Sequence, residues 1–293
     1  MINANTVHEA TGAKVKDFKV DGLGVASCRE VESLLTFVAD GKYVTEANEN
    51  SYVKALFTTH ELSEKFRKDV VCLVVDDPKW YFFKLVNYLA KNRQRLKSFI
   101  SERAVIHSSA VIAEQGVVIE DDVIVEPNVT IMSDVLVSKG AIIRAGAVLG
   151  VDGYEHKKTE KGILSVAHNG SVVIGERVEV GVNCNIAKGF SYRNTVIGAD
   201  SKLDALVHYA HGVQCGERCM IVACAMLAGH VTLGDDVWVG PKATVSNRIT
   251  IGNGAFITLG SVVVKDVAAG EKVTGNFAVP HIKFLRNLKK INE

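Results

Sequence analysis

The chain reads as a mainly β protein: a parallel β-helix of hexapeptide repeats, preceded by a small α/β domain and followed by a short C-terminal helical tail. Three observations predict this. From Ile197 to Val263 an apolar residue recurs every six positions without a slip, through Leu203, Tyr209, Cys215, Ile221, Leu227 and onward. Four residues after each stands a small or β-branched residue, among them Ser201, Val207, Val213, Cys219, Ala225 and Val231, so two positions per repeat face inward. The first hundred residues lack this frame and alternate short β-branched or aromatic runs with polar helical stretches. A period of six fits neither a helix nor a plain strand. Stacked six-residue repeats, each a short strand and a turn, bury one continuous core. Three repeats of six make one triangular coil in such folds, which sets residues eighteen apart one above the other.

Residues 1–100 form the α/β domain. Its strands are predicted at Phe18 to Val20, Leu35 to Val38, Ala55 to Thr58 and Val70 to Val75, where β-branched and aromatic residues concentrate. Asp77-Pro78 opens a helix, with the aspartate as cap and the proline in the first turn, where its missing N–H costs nothing. Phe82, Val86 and Leu89 then mark an apolar stripe through about Gln94. The segment Asn92 to Ser98, with three basic residues, connects this domain to the coil.

The coil takes residues 101–276. Its frame begins at Ile106 and Ile112, carries one extra residue before Ile119, and continues through Val125, Ile131, Val137, Ile143 and Leu149. It resumes at Ile174, Val180 and Ile186. The stretch between, Gly150 to Ser171, is polar, charged and glycine-marked, so it leaves the coil as a loop; a shorter excursion lies around Phe190 to Thr195. Uninterrupted coils are tolerant scaffolds, and excursions are where a solenoid carries function. In the tail, 277–293, the chain departs after Gly275 and Pro280, and Leu285 and Leu288 with the basic residues between them fit a short amphipathic helix.

Bulk composition narrows the function. Net charge is +1, from 34 basic and 33 acidic residues, and binding to nucleic acid requires clustered positive charge to neutralise phosphates. Met1 to Phe18 lacks the apolar stretch of a secretory signal, and no run is long enough to span a bilayer. The expectation is a cytoplasmic protein with no membrane span and no nucleic-acid partner. Six cysteines include no CxxC pair. Cys215 and Cys219 occupy the two inward positions of one repeat, as small core filler, and no metal site is expected.

The histidines carry the chemistry. His211, in VHYAHGV, stands third in its repeat, off both core positions, so its imidazole is expected to point outward into a cleft. Gly229, in LAGHV, follows eighteen residues later, one coil above. An imidazole titrates near neutrality and accepts a proton from a nucleophile as a bond forms. A zinc hydrase on the same coil would need three neutral histidines around one metal; here His208 and His211 are three apart, with His230 next. A non-catalytic β-helix used for assembly is the alternative from another class, and it would need no histidine stacked beneath a glycine.

The order of an α/β domain with LTFVADGKY, a hexapeptide coil, VLGVDGY, VVIGERVEVGVNCNI, NTVIG and VHYAHGVQCG resembles the UDP-3-O-acylglucosamine N-acyltransferases of lipid A biosynthesis. It is similar also to enzymes that acylate amino sugars on nucleotide carriers for surface glycans. The likeness runs from about Lys16 to Pro280. It implies a left-handed coil and a homotrimer with sites between subunits. It implies a nucleotide base held between Phe37 and Tyr43, with Asp40 near the base edge. Asp40-Gly41 stands where the lipid A enzymes typically have Asn-Pro, which leaves uracil or thymine open.

The same likeness gives His211 the role of general base and the Gly229 N–H that of oxyanion donor. By position, His208, last in its repeat, and His230, next to the oxyanion glycine, are candidates to bind substrate or orient a partner, and His168, within the loop, is a candidate to reach a neighbouring subunit's site. Asn185 and Arg193 are further candidates for substrate binding; with Lys188 they lie in NCNIAKGFSYRNT, where the lipid A enzymes more often read TTIDRG, which leaves the acceptor sugar open. The implied reaction moves an acyl group from a pantetheine thioester, acyl-CoA or acyl carrier protein, to the amine of a UDP- or dTDP-linked amino sugar. No permanently bound cofactor is implied. A short acyl group from coenzyme A is favoured; the lipid A reaction itself is the alternative.

Overall fold

The structure is a computed structural model that describes residues 1–293 except 30, 191, 192, 276, 277, 284, 285, 287, 288 and 290–293. At its N-terminal end β1 (Ile2–Asn3) pairs antiparallel with β2 (Lys19–Val20), and α1 (Ala4–Thr11) lies between them in sequence. Four parallel strands follow in sequential order: β3 (Gly22–Leu23), β4 (Leu34–Val38), β5 (Val53–Thr58) and β6 (Val71–Val74). Helices α2 (Val44–Glu49) and α3 (Pro78–Lys91) complete this part. The Asp77 carboxylate accepts from the Trp80 N–H at 3.0 Å, so the cap expected at Asp77-Pro78 forms. Helix α3 ends at Lys91 rather than Gln94, because the Asn92 N–H closes the last turn on Tyr88 and Arg95 is turned to the coil, where it grips Asp134.

From Phe99 onward the chain winds into three parallel sheets of eight, nine and eight strands, the architecture of the left-handed hexapeptide coils. Register holds the eighteen-residue step: Lys202 pairs with Met220, His208 with Met226, Gln214 with Thr232. Each frame residue from Ile197 to Val263 is buried, and so is each residue four places later, from Ser201 to Val267. The corners are left-handed. Asp200, Leu206, Arg218, Cys224, His230, Asp236, Lys242 and Arg248 all have positive φ, and Gly212 takes the corner between Leu206 and Arg218, directly beneath His230. That conformation is disfavoured for residues with a Cβ; here the fully buried core on both sides of each corner determines it.

The stretch after Gly150 is more regular than a loop. His156–Thr159 and Gly162–Ser165 form an antiparallel hairpin. It folds back on the α/β part. The Asn87 side chain donates to the Ser165 carbonyl and accepts from the Ala167 N–H, both at 2.8 Å. Asp77 accepts from the Glu160 N–H at 2.8 Å, and the Lys161 ammonium lies 4.4 Å from the Trp80 ring centre. Val166 and Phe190 enter the apolar core of the α/β part. At the far end His281, Ile282 and Lys283 are helical; the helix expected on Leu285 and Leu288 lies outside the described residues. Among the described residues no helix is long and apolar enough to cross a membrane.

Candidate active site

His211 and Gly229 are neighbours. A Cβ placed on Gly229 would stand 2.5 Å from His211 Cε1 and 2.7 Å from Nε2, so only glycine lets that backbone approach the ring so closely. The coil's winding produces the contact: the His230 N–H donates to the His211 carbonyl at 3.0 Å, locking one rung on the next. The imidazole does not point into an open cleft as the sequence suggested. It lies under the hairpin, its side chain 13% exposed, with Glu155 Oε2 3.8 Å from Nε2. The reason is tertiary: the loop that leaves the coil after Gly150 returns across this rung on its way to α3.

Three imidazoles cluster there. The rings of His168 and His211 are 5.3 Å apart, and those of His211 and His230 are 5.1 Å apart, both edge-on. His168 was expected to reach a neighbouring subunit; instead it is buried in its own chain. Its Nε2 accepts from the Gly153 N–H at 3.1 Å, which leaves the proton on Nδ1. Phe190 seals the group, 5.3 Å from His168 and 5.8 Å from His211. His230 owes its aim to a left-handed corner at φ 62°. Among the described residues no set of three histidine, cysteine, aspartate or glutamate side chains is arranged to hold a metal ion.

Burial governs the titration of all three rings, because removing a charge from water disfavours the protonated form. Burial lowers His168 to about 4, against the pull of Asp152, and lowers His230 to about 4, helped by His211. His211 is also lowered by burial, with Glu155 opposing. A ring held below its ordinary range is neutral at physiological pH and free to accept a proton.

The other expected residues sit elsewhere. His208 and Asn185 are neighbours on an outward column of one coil face, with Met226 next in line. Arg193 is a clamp across rungs, donating to the Gly212 carbonyl at 2.7 Å and to Thr232 Oγ1 at 2.6 Å. Lys188 pairs with Asp152 at 3.2 Å. Phe37 is half-buried, its ring 4.9 Å from Phe82 and 5.4 Å from Phe83. Tyr43 is exposed, with the Lys42 ammonium 5.0 Å from its ring centre. Asp40 caps the short turn Gly41–Tyr43, accepting from the Lys42 N–H at 3.0 Å.

Close by, a cleft of about 330 Å³ opens beyond the carboxyl ends of β4, β5 and β6, the customary ligand position in parallel α/β sheets. Ala39, Thr59, Asp76 and Lys79 line one wall, and Lys158 and Thr159 of the hairpin line the other. Sequence reasoning singled out neither the hairpin residues nor Phe190. Phe190 was signalled only by its place in an excursion from the frame, and Glu155 by its place in the polar loop.

A stretch of 139 residues, 47% of this chain, is 37% identical to the UDP-3-O-acylglucosamine N-acyltransferase of Caulobacter sp. (strain K31) and covers 41% of that protein. A stretch of 140 residues is 36% identical to the enzyme of the same name from Campylobacter curvus, covering 47% of this chain and 44% of that one. The chain is similar to the UDP-3-O-acylglucosamine N-acyltransferases. The similarity spans less than half the length of these curated relatives. No family model matches. Among solved structures, a UDP-N-acetylglucosamine acyltransferase overlays with TM-score 0.48 at 27% identity, covering 67% of this chain and 80% of that one. The UDP-N-acetylglucosamine acyltransferase of Campylobacter jejuni overlays with TM-score 0.40 at 23% identity, covering 61% and 70%.

Proposed function

We propose that this protein is an N-acyltransferase that moves an acyl group from a pantetheine thioester, acyl-CoA or acyl carrier protein, to the amine of a UDP- or dTDP-linked amino sugar. The observation that carries the reading is the contact of a neutral, half-buried imidazole with a glycine backbone one rung away. His211 takes the proton that the sugar amine must shed to become a nucleophile. The Gly229 N–H stabilises the oxyanion of the tetrahedral intermediate; losing one such donor costs about 3 to 4 kcal/mol in the barrier. The C–S bond then breaks and the sulfur departs as the thiol, and no covalent enzyme intermediate is needed. His168 and His230 pack the base rather than touch substrate.

Nucleotide recognition belongs to the α/β part in this reading. The cleft beyond β4 to β6 adjoins Asp40, and the hairpin strand His156–Thr159 runs from that cleft toward Glu155, beside His211. Four residues of strand span about 13 Å, at roughly 3.3 Å per residue, a length over which a diphosphate linkage separates a base from the far side of its sugar. A homotrimer goes with the reading. Its support is one flat face of the coil, where Met220, Trp238 and Phe256 are outward partners in successive rungs and the two aromatic rings stack at 5.5 Å. A cytoplasmic location goes with the soluble nucleotide-sugar and thioester substrates. The lipid A reaction, on an acylated UDP-glucosamine, is the alternative acceptor on the strength of the relatives' name.

The test is a screen by mass spectrometry, incubating the purified chain with acyl-CoA or acyl carrier protein donors and UDP- or dTDP-linked amino sugars. The expected product is the sugar plus one acyl group, formed far more slowly by His211→Ala. No product from any donor and acceptor pair overturns the proposal.

A further inference from the structure

Glu155 is the residue that the reading above leaves without a task. Its side chain is 14% exposed, and its two oxygens face different ways. Oε1 is paired with the Lys157 ammonium, while Oε2 faces His211 Nε2 at 3.8 Å. That separation exceeds a hydrogen bond, so the carboxylate does not serve to orient the ring. The other ring nitrogen, Nδ1, is buried with no hydrogen-bond partner. His211 therefore directs its one usable nitrogen at the same small space as Glu155 Oε2, bounded above by Gly229.

We infer that Glu155 and His211 form a two-pronged receptor for a primary amine, with Glu155 Oε2 as a second catalytic contact to the acceptor nitrogen. This rests on the acyl-transfer reading and names the group that the site selects. A nitrogen about 2.9 Å from both Nε2 and Oε2 can bridge the gap: two acceptors 3.8 Å apart subtend roughly 80° there, about 30° less than the tetrahedral spread of two N–H bonds, so each hydrogen bond bends by roughly 15° and keeps an angle above about 150°. A hydroxyl has one hydrogen and reaches only one of them.

The chemistry closes. An amine arrives largely as ammonium at neutral pH, and a carboxylate in a partly dry site holds that charge by a charge-assisted hydrogen bond. One proton passes to His211 and on to solvent, which frees the lone pair. As the N–C bond forms and the C–S bond breaks, a second proton leaves the nitrogen and departs with sulfur as the thiol. Glu155 keeps its charge throughout and fixes the remaining N–H. Lys157 is the counter-charge that turns the carboxylate, and its ammonium is itself held over Phe83 at 4.8 Å and Phe190 at 5.9 Å.

Two measurements test this. The first is binding by calorimetry of UDP- and dTDP-hexoses carrying an amine at C2, C3 or C4, each against its hydroxyl counterpart. The wild-type chain is expected to prefer at least one amine by about tenfold, the value of a charge-assisted hydrogen bond. Glu155→Gln is expected to bind both partners alike, with affinity for UDP or dTDP alone unchanged, and Glu155→Asp to restore part of the preference. The second is the titration of the His211 ring by NMR, free of any substrate, which is expected to move to lower pH in Glu155→Gln. Binding of the free nucleotide without any preference for an amine overturns the inference and leaves the nucleotide-sugar reading standing. An unmoved His211 titration also overturns it. Binding of no nucleotide at all removes the reading itself, and the inference with it.

Discussion

At the scale of single residues, the site depends on one ring and one missing side chain. His211→Ala is expected to reduce acyl transfer by about 10² to 10⁴, the range for loss of a general base, with the thermal midpoint little changed; steady-state kinetics and a melting curve check this together. Gly229→Ala puts a Cβ 2.5 Å from the ring, so the imidazole must move. Its kcat is expected to fall with no equivalent loss of nucleotide affinity. The cluster also makes stability depend on pH. His168 and His230 titrate near 4 in the fold and near 6.5 unfolded. Between those values the unfolded chain binds more protons, so stability falls as pH drops from about 6.5 to about 4 and levels below. Thermal midpoints across that window should show the slope, and His168→Gln should flatten it.

At the scale of elements, the hairpin is what turns an exposed rung of the coil into a site. It brings Glu155 to His211 and closes one wall of the cleft beside β4 to β6. Its attachment is concentrated at Asn87, whose amide bridges Ser165 and Ala167. Asn87→Ala removes both bonds, each contributing about 1 kcal/mol. Faster hydrogen exchange at Ala167 is expected with little change in exchange across the coil core. Unchanged exchange at Ala167 would show that the remaining attachments, Asp77 to Glu160, Lys161 on Trp80 and the packing of Val166 and Phe190, suffice to hold the hairpin.

At the scale of the whole molecule, two units of different construction are joined by a short seam. Arg95, in the connecting segment, forms a bidentate pair with Asp134, 2.7 Å at its closest, and the Asp134 side chain is only 5% exposed. Arg93 approaches the same carboxylate at 3.6 Å. Removing Arg95 leaves a buried carboxylate short of its main partner, a change that costs about 3 to 5 kcal/mol. Arg95→Ala should show that loss in denaturant unfolding, whereas breaking an exposed, solvent-screened pair such as Arg218 with Asp236 should change stability far less.

By itself the sequence determined the coil, because a six-residue frame repeats the same inward contacts on every rung. It also determined the Asp77 cap and the vertical alignment of His211 with Gly229, since both follow from spacing along one chain. What covers His211 was decided only by tertiary structure. The stretch from Gly150 to Ser171 carries no period, so nothing local indicates that it forms a hairpin, docks on α3 and delivers Glu155 and His168 to the ring. Phe190 is likewise an ordinary aromatic until its excursion places it among three imidazoles. Such contacts join segments with no shared frame, and their energies come from packing between distant surfaces, which no pattern along the chain records.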